Sequence, residues 1–169
     1  MPLTKLNFSG QPTISHVNLP AGSILQKQLF TLAPTAHIST TSATTSAQAG
    51  SIQISITPKK ANSKILIEVS TGMSIKNTST LVWELYEDST AIITEAGNHN
   101  SPYRYGWLYN YSETGAVYGA TSAKSVVNAG STNSRTYKLY HKIATGQSGI
   151  AYTAHEGGYI SMFATEIAQ

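Results

Sequence analysis

Eight carboxylates and five histidines are the side chains of this 169-residue chain best suited to acid–base or metal chemistry, and cysteine is absent. Aspartate occurs once, as Asp88, and the seven glutamates are spread singly along the chain. Paired-carboxylate glycoside hydrolysis and oxygen-ligand calcium loops both need carboxylates that converge, and little here provides for that. Glu84 and Glu87 are the closest pair of glutamates. A strand sends them to opposite faces, and two solvated charges are the default. His16, His37, His99, His141 and His155 show no i, i+4 pairing and have no cysteine beside them. Hydrogen-bonded or surface histidine is the default, with ligation by histidines from different strands or subunits as the alternative. Gly146-Gln147-Ser148-Gly149 lacks the spacing of a nucleophile elbow, and no glycine loop is built to cradle phosphate. These residues point away from an enzyme, and neither cofactor nor metal is expected.

One cluster has binding chemistry. Tyr103, Tyr105, Trp107, Tyr109 and Tyr111 share one parity of a strand-like stretch, with Arg104 and Asn110 on the other. Tyr and Trp offer broad apolar area with a polar tip, so Tyr105, Trp107 and Tyr109 are candidates for contact with a glycan or a protein partner. Rings that fill the core or a subunit contact are the alternative, because aromatic residues favour strands in any case.

The elements that must position these residues are strands. Ile52, Ile54 and Ile56 alternate with Gln53, Ser55 and Thr57, and Ile65, Ile67 and Val69 alternate with Leu66, Glu68 and Ser70. That period of two marks strands with one buried face. Pro58 to Ser63 between them reads as a surface turn, so the pair is expected to be a hairpin. Ile24–Thr31 is an expected first strand, and 33–51 a long loop with a short strand near Ile38. Leu81–Asp88 is expected to pair with 91–95 across Asp88-Ser89. Tyr103–Tyr111, the weaker 116–127 and Arg135–Ala144 follow. Gly149–His155 and Tyr159–Ile167 read as a closing hairpin around Gly157-Gly158. Helical periodicity is sustained nowhere, so the expected fold is all-β: an antiparallel β-sandwich, jelly-roll-like.

Charged residues are 11% of the chain, against about a quarter in an average domain. The net charge of +3 comes from scattered Lys and Arg, which is not the footprint of a nucleic-acid binder. No apolar run approaches the ~20 residues of a membrane span, and the N-terminus lacks the apolar core of a signal peptide. The chain is expected to be made in a cytoplasm.

Residues 1–22 carry Pro2, Gly10, Pro12, Pro20 and Gly22, and the apolar Leu3, Leu6, Phe8, Ile14, Val17 and Leu19 follow neither a strand nor a helix period. This is an expected N-terminal arm, leaving 23–169 as one knob domain. After the arm comes Leu19-Pro20-Ala21-Gly22-Ser23-Ile24-Leu25-Gln26. Ile56-Thr57-Pro58 then precedes Asn62-Ser63-Lys64-Ile65-Leu66-Ile67, and Ile160-Ser161-Met162-Phe163-Ala164-Thr165-Glu166-Ile167 closes the chain. In these motifs the chain resembles bacteriophage virion proteins of the fibre-knob and capsid-decoration kind, especially those of cyanophages and other aquatic phages. The resemblance implies a β-sandwich knob that forms a homotrimer, with the arm anchoring it to the major capsid protein or another virion protein. An arm of about twenty residues reaches at most ~70 Å, which suits a capsid-surface decoration, cement protein or short head fibre. The alternative is the receptor-binding tip of a tail fibre that recognises host surface glycan through Tyr105, Trp107 and Tyr109. The expected location is the virion, with no nucleic acid bound and no insertion into a membrane.

Overall fold

A computed structural model describes residues 19–76, 80–95, 107–111, 117–154 and 158–169. They form eleven strands and no helix. In order these are β1 (Ile24–Leu32), β2 (Ile38–Thr40), β3 (Ala47–Ile56), β4 (Lys64–Lys76), β5 (Thr80–Glu87), β6 (Thr90–Ile93), β7 (Leu108–Tyr111), β8 (Val117–Asn128), β9 (Arg135–Ile143), β10 (Ile150–Ala154) and β11 (Ile160–Ile167). All pairings are antiparallel, in two sheets. Sheet A is built on β4, which pairs with β8 along one edge and with β11 and then β10 along the other. Next to β11 lies β1, and next to β10 lies β2. Sheet B runs β3, β9, β5, with β7 and β6 sharing the far edge of β5.

The alternating residues of both sheets meet in one core. Ile52, Ile54, Ile56, Leu81, Trp83, Leu85, Tyr137 and Leu139 from sheet B pack against Ile65, Ile67, Val69, Ile160, Met162 and Ala164 from sheet A. This is the sandwich that the period-two pattern leads one to expect.

Two local pairings differ from the sequence reading. β3 and β4 are not a hairpin. β3 pairs with β9 in sheet B, whereas β4 lies in sheet A, so 57–63 arches from one sheet to the other. Alternation identifies the buried face of a strand but not its partner, and the two isoleucine rows face each other across the core instead of lying side by side. β10 and β11 are not a hairpin either. Both run antiparallel to β4 on the same edge, β10 against Ser74–Lys76 and β11 against Lys64–Thr71, so they run end to end in one direction.

The hairpin at Asp88-Ser89 is present. Asp88 takes φ +54, a left-handed conformation that Asp tolerates better than most residues, and its carboxylate accepts the Thr136 N–H at 3.0 Å. The strand near Ile38 is β2, and 117–128 forms a full-length partner for β4. Strand β3 begins at Ala47, earlier than its alternation suggests, and its register with β9 shifts between Gln48 and Gln53. Gly50 lies within that irregularity at φ +57, where a Cβ would stand 3.2 Å from Ile38 Cδ1. Gly50→Ala is therefore expected to lower stability by about 1–2 kcal/mol, read as a shift of the urea midpoint at constant m.

Candidate functional site

The outer face of sheet A carries a surface that joins charge, hydroxyls and an aromatic ring in a hollow. Cross-strand register sets out its rows. Leu29, Phe163, Glu68 and Lys124 form one row across β1, β11, β4 and β8, and Thr31, Ser161, Ser70 and Ser122 form the next. Paired residues share a face, so a row of short hydroxyl side chains lies beside a row of tall ones. The step between them is a groove of about 500 Å³ lined by Lys27, Glu68, Ser70, Ser122, Lys124 and Phe163 among others. Lys27 Nζ sits 4.2 Å from the centre of the Phe163 ring, a cation–π contact that holds the ammonium at the rim. On the same face Leu29 and Val126 remain 58% and 57% exposed.

On the outer face of sheet B the structure overturns one expectation. Every residue from Thr80 to Leu85 is buried, because both faces of the central strand β5 are covered. Glu84 is 3% exposed and is not a solvated charge. Its carboxylate accepts the Ser46 hydroxyl and, at 2.9 Å, the Glu95 N–H. Lys142 Nζ lies 2.7 Å from Glu95 Oε2 and 3.9 Å from Glu84 Oε1, and the Thr145 hydroxyl donates to Glu95 Oε2 at 3.1 Å. The loop before β3 and the end of β6 are thereby clasped onto β5 and β9. These carboxylates are closed off from any substrate. Glu87, of opposite parity as expected, pairs with Arg135 at 3.0 Å.

Glu166 has the most donors of any described carboxylate. It shares the inward parity of Met162 and Ala164 and is fully buried under the β3–β4 arch. The Lys59 N–H reaches Oε1 at 2.8 Å and Oε2 at 2.9 Å, the Lys60 N–H reaches Oε1 at 3.0 Å, the Ser63 hydroxyl Oε1 at 2.7 Å, and the Gln26 amide Oε2 at 2.7 Å. Burial pushes the carboxyl up, but the Lys59 amide, the Ser63 hydroxyl, the Gln26 side chain and the Lys60 amide together hold it below its ordinary value. This residue was missed in the sequence. The available signal was a lone acid at a buried position of an otherwise apolar row.

Of the histidines, His16, His99 and His155 lie outside the described residues. His37 meets Tyr152 edge to face. His141 is 3% exposed in the core, its Nδ1 2.7 Å from Thr153 Oγ1, to which the Trp83 indole N–H donates at 3.1 Å. The Thr153 hydroxyl has one proton and two lone pairs, so it accepts from Trp83 and still shares a second hydrogen bond with the imidazole. Burial lowers the His141 pKa to about 4. Among the described residues, no group of three histidines or carboxylates is placed to hold a metal.

The aromatic run falls largely outside the description. Tyr103 and Tyr105 lie there entirely, and Tyr109 and Tyr111 are described only through their backbone in β7, where Tyr109 pairs with Val82. Trp107 is half-buried against the core, with its indole N–H enclosed and lacking a partner. Of the expected arm, Leu3, Leu6, Phe8, Ile14 and Val17 also lie outside the described residues. Leu19 is half-buried, and just beyond it Gly22 and Ser23 exchange backbone hydrogen bonds with Ala168, both 2.9 Å, tying the start of the knob to its end.

No family model matches the chain, and no curated protein matches it.

Proposed function

We propose that this chain is a virion structural protein: a homotrimeric capsid-surface decoration or cement protein, or short head fibre, anchored by its N-terminal arm. In this reading the arm docks on the major capsid protein or another virion protein, and the knob projects outward. The role is assembly and not catalysis. The observation that carries the reading is the outer face of sheet A, where the exposed Leu29 and Val126 stand beside the half-buried Leu66 and Phe163 on a weakly charged sandwich. Such a face gains from burial against another chain, and closed symmetry would also cover free strand edges. The buried carboxylates support the same reading, since Glu84, Glu95 and Glu166 are engaged with internal partners.

The test compares full-length chain with chain deleted through Leu19, each mixed with particles stripped of the protein. Full-length chain is expected to restore decoration. The deleted chain is expected to remain a folded trimer and to leave the particles bare. Full occupancy by the deleted chain would remove the anchoring role from the arm.

A further inference from the structure

We infer that Lys142 and Glu95 condense to an amide, a covalent tie that the folded chain forms by itself on the outer face of sheet B. Of the ion pairs among the described residues, theirs joins a primary amine to an enclosed carboxyl: Lys142 Nζ lies 2.7 Å from Glu95 Oε2, and the two side chains are 11% and 1% exposed. The pair Arg135–Glu87 has neither property, since a guanidinium is not deprotonated and the Glu87 side chain is 26% exposed. Pairing alone needs one carboxylate, yet a second enclosed one, Glu84, stands 3.9 Å from the same nitrogen. Three charges therefore share a closed site, where each carries a desolvation cost that their attraction only partly offsets. The amide leaves one charge, on Glu84, which already accepts the Ser46 hydroxyl and the Glu95 N–H. Glu95 Oε1 is enclosed and has no donor, a position that costs a carboxylate oxygen more than an amide carbonyl.

The step balances without another reactant. Across the 2.7 Å contact the ammonium passes one proton to Glu95 Oε2, which turns an unreactive ion pair into an amine and a carboxylic acid. The Nζ lone pair then attacks Glu95 Cδ. As the C–N bond forms, Glu84 takes a second proton from the nitrogen, for which its Oε1 must close by about 1 Å to hydrogen-bond distance. Glu84 returns that proton to the departing oxygen, the C–Oε2 bond breaks, and water leaves. The nitrogen keeps its third proton as the amide N–H, and Glu84 is restored. The Thr145 hydroxyl, 3.1 Å from Oε2, donates to the oxygen that departs.

The fold supplies the proximity. Lys142 is held opposite Val82 by the pairing of β9 with β5, and the Glu95 N–H is held on Glu84 at 2.9 Å. Amine and carboxyl thus meet with no diffusional encounter, and well-oriented groups of this kind reach effective concentrations of ~10⁵–10⁸ M. The product staples the segment after β6 to β9 across β5, and a link between positions so far apart in sequence restrains the unfolded chain. The inference does not depend on how the protein reaches a particle.

Mass spectrometry of the full chain, denatured after prolonged incubation at neutral pH, tests this. The expected product is one water lighter than the sequence mass, and its tryptic digest contains one branched peptide that joins Glu95 to Lys142, with no cleavage after Lys142. Lys142→Arg keeps the positive charge but removes the amine, and is expected to stay at its full sequence mass. Glu84→Gln is expected to form the lighter species about a hundredfold more slowly or worse, and Lys138→Arg, elsewhere on β9, at the wild-type rate. Circular dichroism confirms that each variant is folded, and the wild-type mass and branched peptide decide the inference even where a variant is not. A wild-type chain that keeps its full sequence mass would overturn the inference. So would a water loss that persists in Lys142→Arg or that maps to other residues. Formation at the wild-type rate in folded Glu84→Gln would overturn the proton transfer through Glu84.

Discussion

Replacing Glu166 with alanine is expected to cost on the order of 3–5 kcal/mol of folding stability, measured as a fall in the urea midpoint. The residue is an anion enclosed by four donor groups, from Lys59, Lys60, Ser63 and Gln26. Without it, the Lys59 and Lys60 N–H groups lose their acceptor, whereas the Ser63 hydroxyl and the Gln26 amide keep the Lys60 and Thr57 carbonyls at 2.8 and 2.6 Å. Each charge-assisted bond is worth ~1.5–3 kcal/mol, and each orphaned donor carries a desolvation penalty of its own. The effect also reaches across the fold, because these donors belong to the arch between the sheets and to β1, while Glu166 belongs to β11. Glu166→Gln is expected to recover only part of the loss, since its amide nitrogen turns a donor toward donors. Glu68→Gln, on the outer face of the same sheet, is expected to stay within about 0.5 kcal/mol of wild type. Equal midpoints for Glu166→Ala and Glu68→Gln would show that the enclosed carboxylate does not hold the arch.

Acidification is expected to destabilise the knob in two steps with the same sign. His141 has a folded pKa of about 4 against an ordinary 6.5, so between those values the unfolded chain binds a proton that the folded chain refuses. Its contribution is whole above pH 6.5 and lost as pH falls toward 4, a change on the order of 3 kcal/mol. Glu166 is shifted downward from 4.5, so its contribution is whole above that value and lost below it. The folded knob therefore weakens first through the core histidine and then through the arch. Urea titrations at intervals from pH 7 to pH 4 should show the first step in wild type, and His141→Gln should flatten it, since glutamine takes up no proton. A His141→Gln curve that parallels wild type across this range would assign the acid sensitivity elsewhere.

Much of the fold was legible because burial in a sandwich repeats every two residues. The rows Ile52-Ile54-Ile56, Ile65-Ile67-Val69 and Tyr137-Leu139-His141-Ile143 point inward as their alternation indicates. The same regularity hid the pairing. The turn-like Pro58 to Ser63 suits a hairpin and a crossing between sheets equally well, and the choice is made by distant partners, β9 for one strand and β8 and β11 for the other. Glu84 was misread because exposure was judged within its own strand. Its burial comes from Ser46 and Glu95, 38 and 11 residues away. The groove on sheet A was invisible for the same reason. Phe163, Glu68 and Lys124 are unremarkable singly, and only the register of three strands brings them into line.

Sedimentation equilibrium of the purified full-length chain over a wide concentration range is the most direct test of the assembly that the proposed function requires. The expected result is a single species of three times the chain mass that persists on dilution, and that Val126→Glu on the outer face of sheet A breaks down. A wild-type chain that remains monomeric at every concentration would contradict the account.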